Sequence, residues 1–193
     1  MNAARAEIAR ERRRQIQVRK ALEAVLAGDQ PAGADRVRCL LACADYLVFS
    51  LGRLHEQDQE IHDRLRERLP ADATAAREEL AALADRQQRS RRLTAELAQA
   101  AAAQRRSGLN GQQAFEQAVR DFAATFATLM LPRKNPFFRQ TDALFDDTDW
   151  TGIAGVTAAS TAAEERLFGD VQRAVPPGMD PAGYTAEHMP QQG

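Results

Sequence analysis

The sequence predicts an all-α protein, arranged as an up-down antiparallel four-helix bundle with an additional short C-terminal helix. Three observations carry that prediction. Apolar residues recur at alternating steps of three and four through most of the 193 residues. Clusters of Gly, Pro, Ser and Asn cut the periodic stretches into lengths that suit helices. No stretch shows the two-residue alternation of a half-buried strand. The length suits one helical domain over 1–175, with a Pro-, Gly- and Gln-rich segment over 176–193 expected to be extended or disordered.

In chain order, the first helix is expected over 3–27, with Ile8, Glu11, Gln15, Val18, Leu22 and Val25 on one face. Gly28, Pro31 and Gly33 break it, and Asp35 is a candidate N-cap for the next helix. That second helix, Arg36 to Leu69, is the longest. Its stripe reads Val37, Leu41, Ala44, Val48 and Leu51, and resumes at Leu65 and Leu69 before Pro70. Asp72 or Thr74 can cap a third helix that runs to about Arg106. Leu80, Leu83, Gln87, Ser90, Thr94, Leu97 and Ala101 face inward on it.

Ser107, Gly108, Asn110 and Gly111 form the next break. A fourth helix from Gln112 turns Phe115, Ala118, Phe122, Phe126 and Leu129 inward, until Pro132 and Pro136 interrupt it. The pattern resumes through Leu144 and Phe145, and Asp147 can cap a short turn carrying Trp150 and Ile153. The last helix begins as early as Thr157 or at the capping-box spacing Thr161 to Glu164, with Leu167, Phe168 and Val171 as its core.

The long second helix carries the chemistry. Between its two apolar halves, the inward face holds His55, Asp58 and His62. A buried charge is costly unless paired, neutralised or bound to a metal, so this layer is the leading site candidate. With short connections and antiparallel packing, Asp58 stands level with residues 82–87 and those with 130–134. That arithmetic gathers Gln87, Ser90, Arg133 and Lys134 around the layer, and brings Glu7 or Glu11 to its height from the first helix.

Composition narrows the classes. The net charge of −1 gives no global field toward nucleic acid or anionic lipid. The basic cluster Arg10 to Lys20 lacks interleaved aromatic residues and reads as a solvated helix face, so nucleic acid is disfavoured as a partner. No apolar run reaches the roughly 18 residues of a membrane span, and no secretory apolar core stands near the start. Cys39 and Cys43, one helical turn apart, read as small packing residues rather than a disulfide framework. A cytoplasmic location is expected.

Several antiparallel helices, histidines inside the long second one, and the stretch Phe137-Phe-Arg-Gln-Thr-Asp-Ala-Leu-Phe-Asp-Asp-Thr-Asp-Trp150 together resemble a hemerythrin-like (HHE cation-binding) domain. The resemblance spans about 35–175. It implies a helical bundle holding a metal pair, usually iron, inside. Members of that family usually follow the second-helix histidine with a glutamate four residues on; here His55 is followed by Gln59. The usual third-helix histidine pair has no counterpart between His62 and His188, and Leu129, Met130, Lys134 and Asn135 stand where the fourth helix usually holds a histidine and two glutamates. His55 alone carries over, and most metal ligands are replaced.

Two chemistries fit these residues. Without metal, His55, Asp58, His62 and Lys134 form a catalytic set, with Gln87 and Arg133 binding substrate. The reaction is then a lyase- or isomerase-type elimination or isomerisation of a small anionic molecule. With metal, His55, Asp58, His62 and Glu11 would hold iron or another divalent cation for redox, oxygen or nitric-oxide chemistry, as a metal-dependent oxidoreductase. The first reading, without a cofactor, is preferred because a cation and amides stand in place of the family's ligands. A non-catalytic helical scaffold, as a homodimer through the first helix, is the third reading.

Overall fold

The computed structural model describes residues 3–28, 33–129 and 137–176. All regular structure among them is helical: α1 (Ala3–Ala27), α2 (Ala34–Arg68), α3 (Thr74–Ser107), a 3-10 turn (Gly108–Gly111), α4 (Gln112–Leu129), α5 (Phe137–Leu144), α6 (Asp147–Ala154) and α7 (Ala158–Ala174). No described helix is long and apolar enough to cross a membrane.

α2 is the axis of the molecule, with α1, α3 and α7 packed along it. Side-chain contacts fix its registers. Gln15 Nε2 donates to Ser50 O at 2.8 Å and Arg36 Nη1 to Val25 O at 2.7 Å, so α1 runs antiparallel to α2. Arg105 reaches Asp45 and Arg77 reaches the Leu69 carbonyl, which sets α3 antiparallel on another flank. The Cys39 thiol meets the Ala174 carbonyl while Tyr46 Oη donates to Glu164, so α7 is antiparallel as well.

The first half of α2 is therefore enclosed on several sides. Leu40, Tyr46, Leu47 and Leu51 are buried there with Leu22 and Phe122 in the main core. This corrects the expected stripe: Leu41 and Val48 are only half-buried, while Leu40, Cys43, Leu47 and Leu54 carry the burial. A helix surrounded by neighbours has no single apolar face for periodicity to find. Two smaller clusters close the other end, one of Ile8, Trp150, Ile153 and Ala154, the other of Leu65, Leu69 and Leu80.

The caps also differ in detail from expectation. Asp35 lies in the first turn of α2, whose N-cap is Gly33, and Ala73 occupies the N-cap position of α3 rather than Asp72 or Thr74. Neither cap makes a side-chain bond. Asp146, not Asp147, caps α6 in a reciprocal box with Asp149, and Gly155 ends that helix in the left-handed region at φ 54°. Thr157 caps α7 with Ser160, which places Glu164 well inside the helix. Arg36 supplies a cap of another kind. Its guanidinium satisfies the Val25, Leu26 and Gly28 carbonyls at the end of α1 and bonds Glu116 on α4.

Candidate functional site

The polar layer midway along α2 exists, but its residues face different neighbours. On the α1 side, Glu11 is buried and both of its oxygens are occupied. Arg53 reaches Oε1 at 2.8 Å, and Gln57 Nε2 donates to Oε2 at 2.8 Å. Arg53 also donates to the Ala154 carbonyl at 3.2 Å, so the same cluster terminates α6. Asp58 lies beside Glu11's helix and accepts from Arg12 Nη2 at 3.0 Å. Burial pushes the Asp58 carboxyl up, against the opposing pull of Arg12 and Arg91.

On the α3 side, His55 Nε2 lies 2.8 Å from Ser90 Oγ, and Thr94 Oγ1 donates back to the Ser90 carbonyl at 2.9 Å. Burial, reinforced by the positive charge of Arg91, pushes the His55 imidazole down to about 4, which keeps it neutral near pH 7. His62 stands two turns further along α2, with Nδ1 3.2 Å from Asp63 Oδ1. Gln59 Nε2 holds the other Asp63 oxygen at 3.0 Å. These two bonds, the Gln59 one foremost, draw the Asp63 carboxyl below its ordinary range.

The residues offered as metal ligands do not fit one ion. Glu11 is saturated by Arg53 and Gln57, Asp58 is paired with Arg12, and His55 is engaged by Ser90. Among the described residues, no group of three or more His, Cys, Asp and Glu is placed to hold a metal. The expected joint cluster of His55, Asp58 and His62 is likewise split between the α1 and α3 sides. Glu7 bonds Arg10 on its own helix instead of entering the layer. Arg133, Lys134 and His188 lie outside the described residues, as does the chain beyond 176.

What the layer does have is an opening. Two shallow adjoining clefts run along the seam of α2 and α3. One, of about 340 Å³, is lined by Gln59, His62, Ala84, Gln87, Gln88 and Arg91. The other, of about 420 Å³, is lined by Gly52, His55, Glu56, Gln59, Glu60 and Arg91. Gln59 and Arg91 are common to both. Arg91 Nη2 donates to the His55 carbonyl at 3.2 Å and to Gln59 Oε1 at 3.1 Å, so its head is held at the shared rim through one nitrogen. Gln87 is buried, and its Nε2 has no hydrogen-bond partner among the described residues. A buried donor left unpaired costs about 1–3 kcal/mol, so this residue of the cleft lining carries an unmet demand for an acceptor.

Gly52 is the second anomaly. It sits inside a 35-residue helix, where glycine costs roughly 0.5–1 kcal/mol relative to alanine. A Cβ there would meet nothing within 4 Å. Close packing within the protein does not explain the missing side chain, and Gly52 lines the second cleft.

Sequence reasoning placed His55, His62 and Gln87 at this height but missed Arg91, Gln59 and Gly52. Arg91 stands one turn past Gln87 on α3, a spacing that would have shown both on one flank. Gln59 entered only as a departure from a family pattern. No family model matches the chain, and neither the curated proteins nor the solved structures hold a match to it.

Proposed function

We propose that this chain is a hemerythrin-like, up-down antiparallel bundle whose metal centre has been replaced. In this reading it binds a small anionic molecule in the α2–α3 groove and transforms it by metal-independent acid-base chemistry of the elimination or isomerisation type. One observation carries the reading: Gln87, whose amide nitrogen is buried without a partner among the described residues, and Arg91 line the same cleft as His62. Arg91 would anchor a carboxylate and Gln87 would donate to one of its oxygens. His62, with Nδ1 turned to Asp63, would move a proton through Nε2. Neutral His55 lines the adjoining cleft and would add a hydrogen-bonding wall without charge.

Asp58 drops out of this catalytic set because Arg12 holds it on the α1 side. Lys134 remains in it, and Arg133 beside Gln87 in substrate binding, only as sequence expectations of further cations. A cytoplasmic location belongs to the same reading, in keeping with two free thiols at Cys39 and Cys43.

The test is hydrogen–deuterium exchange into a panel of small carboxylates in heavy water, read by proton NMR beside binding titrations. His62→Gln is expected to bind as before and to lose exchange at least about tenfold, while Arg91→Ala loses binding about tenfold. Binding without exchange in the unmodified protein would leave a binding module in place of an enzyme. A scaffold without ligand is the second reading, favoured by the closed Glu11–Arg53–Gln57–Ala154 network. Absence of any carboxylate binding would select it.

A further inference from the structure

The two rims of the groove carry opposite charge. The lining includes Glu56 and Glu60 on the α2 side, and Arg91, Gln87 and Gln88 on the α3 side. Glu56 is exposed and makes no ion pair among the described residues, and Glu60 reaches Arg64 only at 3.4 Å. A molecule bearing a carboxylate alone would settle on Arg91 facing two glutamates. That juxtaposition weakens the very attraction that brings it in, because like charges across an interface oppose binding. A cation on the same molecule reverses the sign of the second interaction.

We propose that the groove takes a zwitterion: a small molecule with a carboxylate for Arg91 and Gln87 and an ammonium for Glu56 and Glu60. The inference rests on the anion-binding reading above and narrows it to the amino-acid class. Gln87, a residue of the cleft lining whose Nε2 is buried and unpartnered among the described residues, puts the carboxylate pole on the α3 side independently of any charge count. Gly52, with open space where a Cβ would stand, gives the ammonium-bearing carbon chain room against the α2 backbone. His55, held neutral beside it, neither repels the ammonium nor competes for the glutamates.

Four six-carbon probes decide the matter: 6-aminohexanoate, norleucine, hexanoate and hexylamine, titrated by ligand-observed NMR against the full chain. At least one of the two zwitterions is expected to bind about tenfold tighter than either singly charged probe. The double variant Glu56→Gln, Glu60→Gln should erase that preference while leaving hexanoate affinity unchanged or raised. Gly52→Ala should melt at a higher temperature yet bind the preferred zwitterion about tenfold more weakly. Hexanoate binding as tightly as the zwitterions would overturn the inference while leaving the anion reading intact. If none of the carboxylates binds, both fall. A Gly52→Ala variant with unchanged zwitterion affinity would overturn the proposed seating against α2.

Discussion

His55 Nε2 and Ser90 Oγ meet at 2.8 Å across α2 and α3, with both side chains buried. A histidine and a serine at hydrogen-bond distance invite a nucleophilic reading, but Ser90 lines neither cleft, and the bond sits on the inner side of the seam. Its work is positional. It ties the two longest helices at the height where their apolar faces give way to polar ones, while Arg91, Gln87 and His62 line the cleft.

The pair makes stability depend on pH. The folded imidazole titrates near 4, below the ordinary value of 6.5, so the unfolded chain takes up this proton first as pH falls. The contribution of neutral His55 is present in full above about pH 6.5 and is lost progressively down to about pH 4. A loss of no more than about 2 kcal/mol over that window is expected from urea melts, after allowing for partial solvent screening. His55→Gln, which keeps a partner for Ser90, should flatten the slope. An unchanged slope would show that another group carries it.

Asp58 should matter little. Its carboxyl is pushed up by burial, so the folded state takes the proton before the unfolded one, and stability from this group falls as pH rises through the carboxylate range. Arg12 offsets that cost only in part. Asp58→Asn is expected to shift stability by less than about 1 kcal/mol at pH 7, in either direction, with ligand binding preserved. A large loss of binding would return Asp58 to the site.

Glu164 is the opposite case. It is 2 % exposed and accepts from Arg10, Arg14 and Tyr46, whose hydroxyl lies 2.8 Å away. Burial, and the carboxylate itself, push the Tyr46 hydroxyl far above its ordinary range. Glu164→Ala strands a buried phenol and leaves Arg10 and Arg14 only their more exposed partners Glu7 and Glu165, and a loss of about 2–4 kcal/mol is expected in thermal or chemical melts. Glu164→Gln should lose less, because it can still accept from Tyr46. Equal losses would show that the charge facing Arg10 and Arg14 on α1, rather than the Tyr46 hydrogen bond to α2, is what holds α7.

The two cysteines should be inert in the folded protein. Cys43 is fully buried and Cys39 lies against the Ala174 carbonyl, and burial pushes both thiols up. Iodoacetamide at pH 8 is expected to label neither in an hour, and both within minutes in strong denaturant. Rapid native labelling of Cys39 would mean that the end of α7 opens readily from α2.

The inner face of α1 was legible in the sequence from end to end. Ile8, Glu11, Gln15, Val18, Leu22 and Val25 are all buried, including the two polar members. The same holds for Gln87, Ser90 and Thr94 on α3. Local periodicity suffices where a helix has one packed side. α2 resisted that reading because it is enclosed along its first half, and the residues on its flanks are buried as deeply as those on the expected stripe.

The sequence by itself determined that the chain is helical, where its breaks fall, and that a polar layer interrupts the apolar faces of α1, α2 and α3 at one height. Those features follow from backbone periodicity and from which residues can start or stop a helix. Only the tertiary structure decided the partners within that layer. Glu11 went to Arg53 and Gln57, Asp58 to Arg12, His55 to Ser90, and His62 to the cleft with Arg91 and Gln87. Helical spacing fixes the direction in which a side chain leaves its own helix. Which neighbour stands in that direction is set by how the helices pack, and turning a residue by one position is enough to exchange a metal-ligand candidate for half of an ion pair.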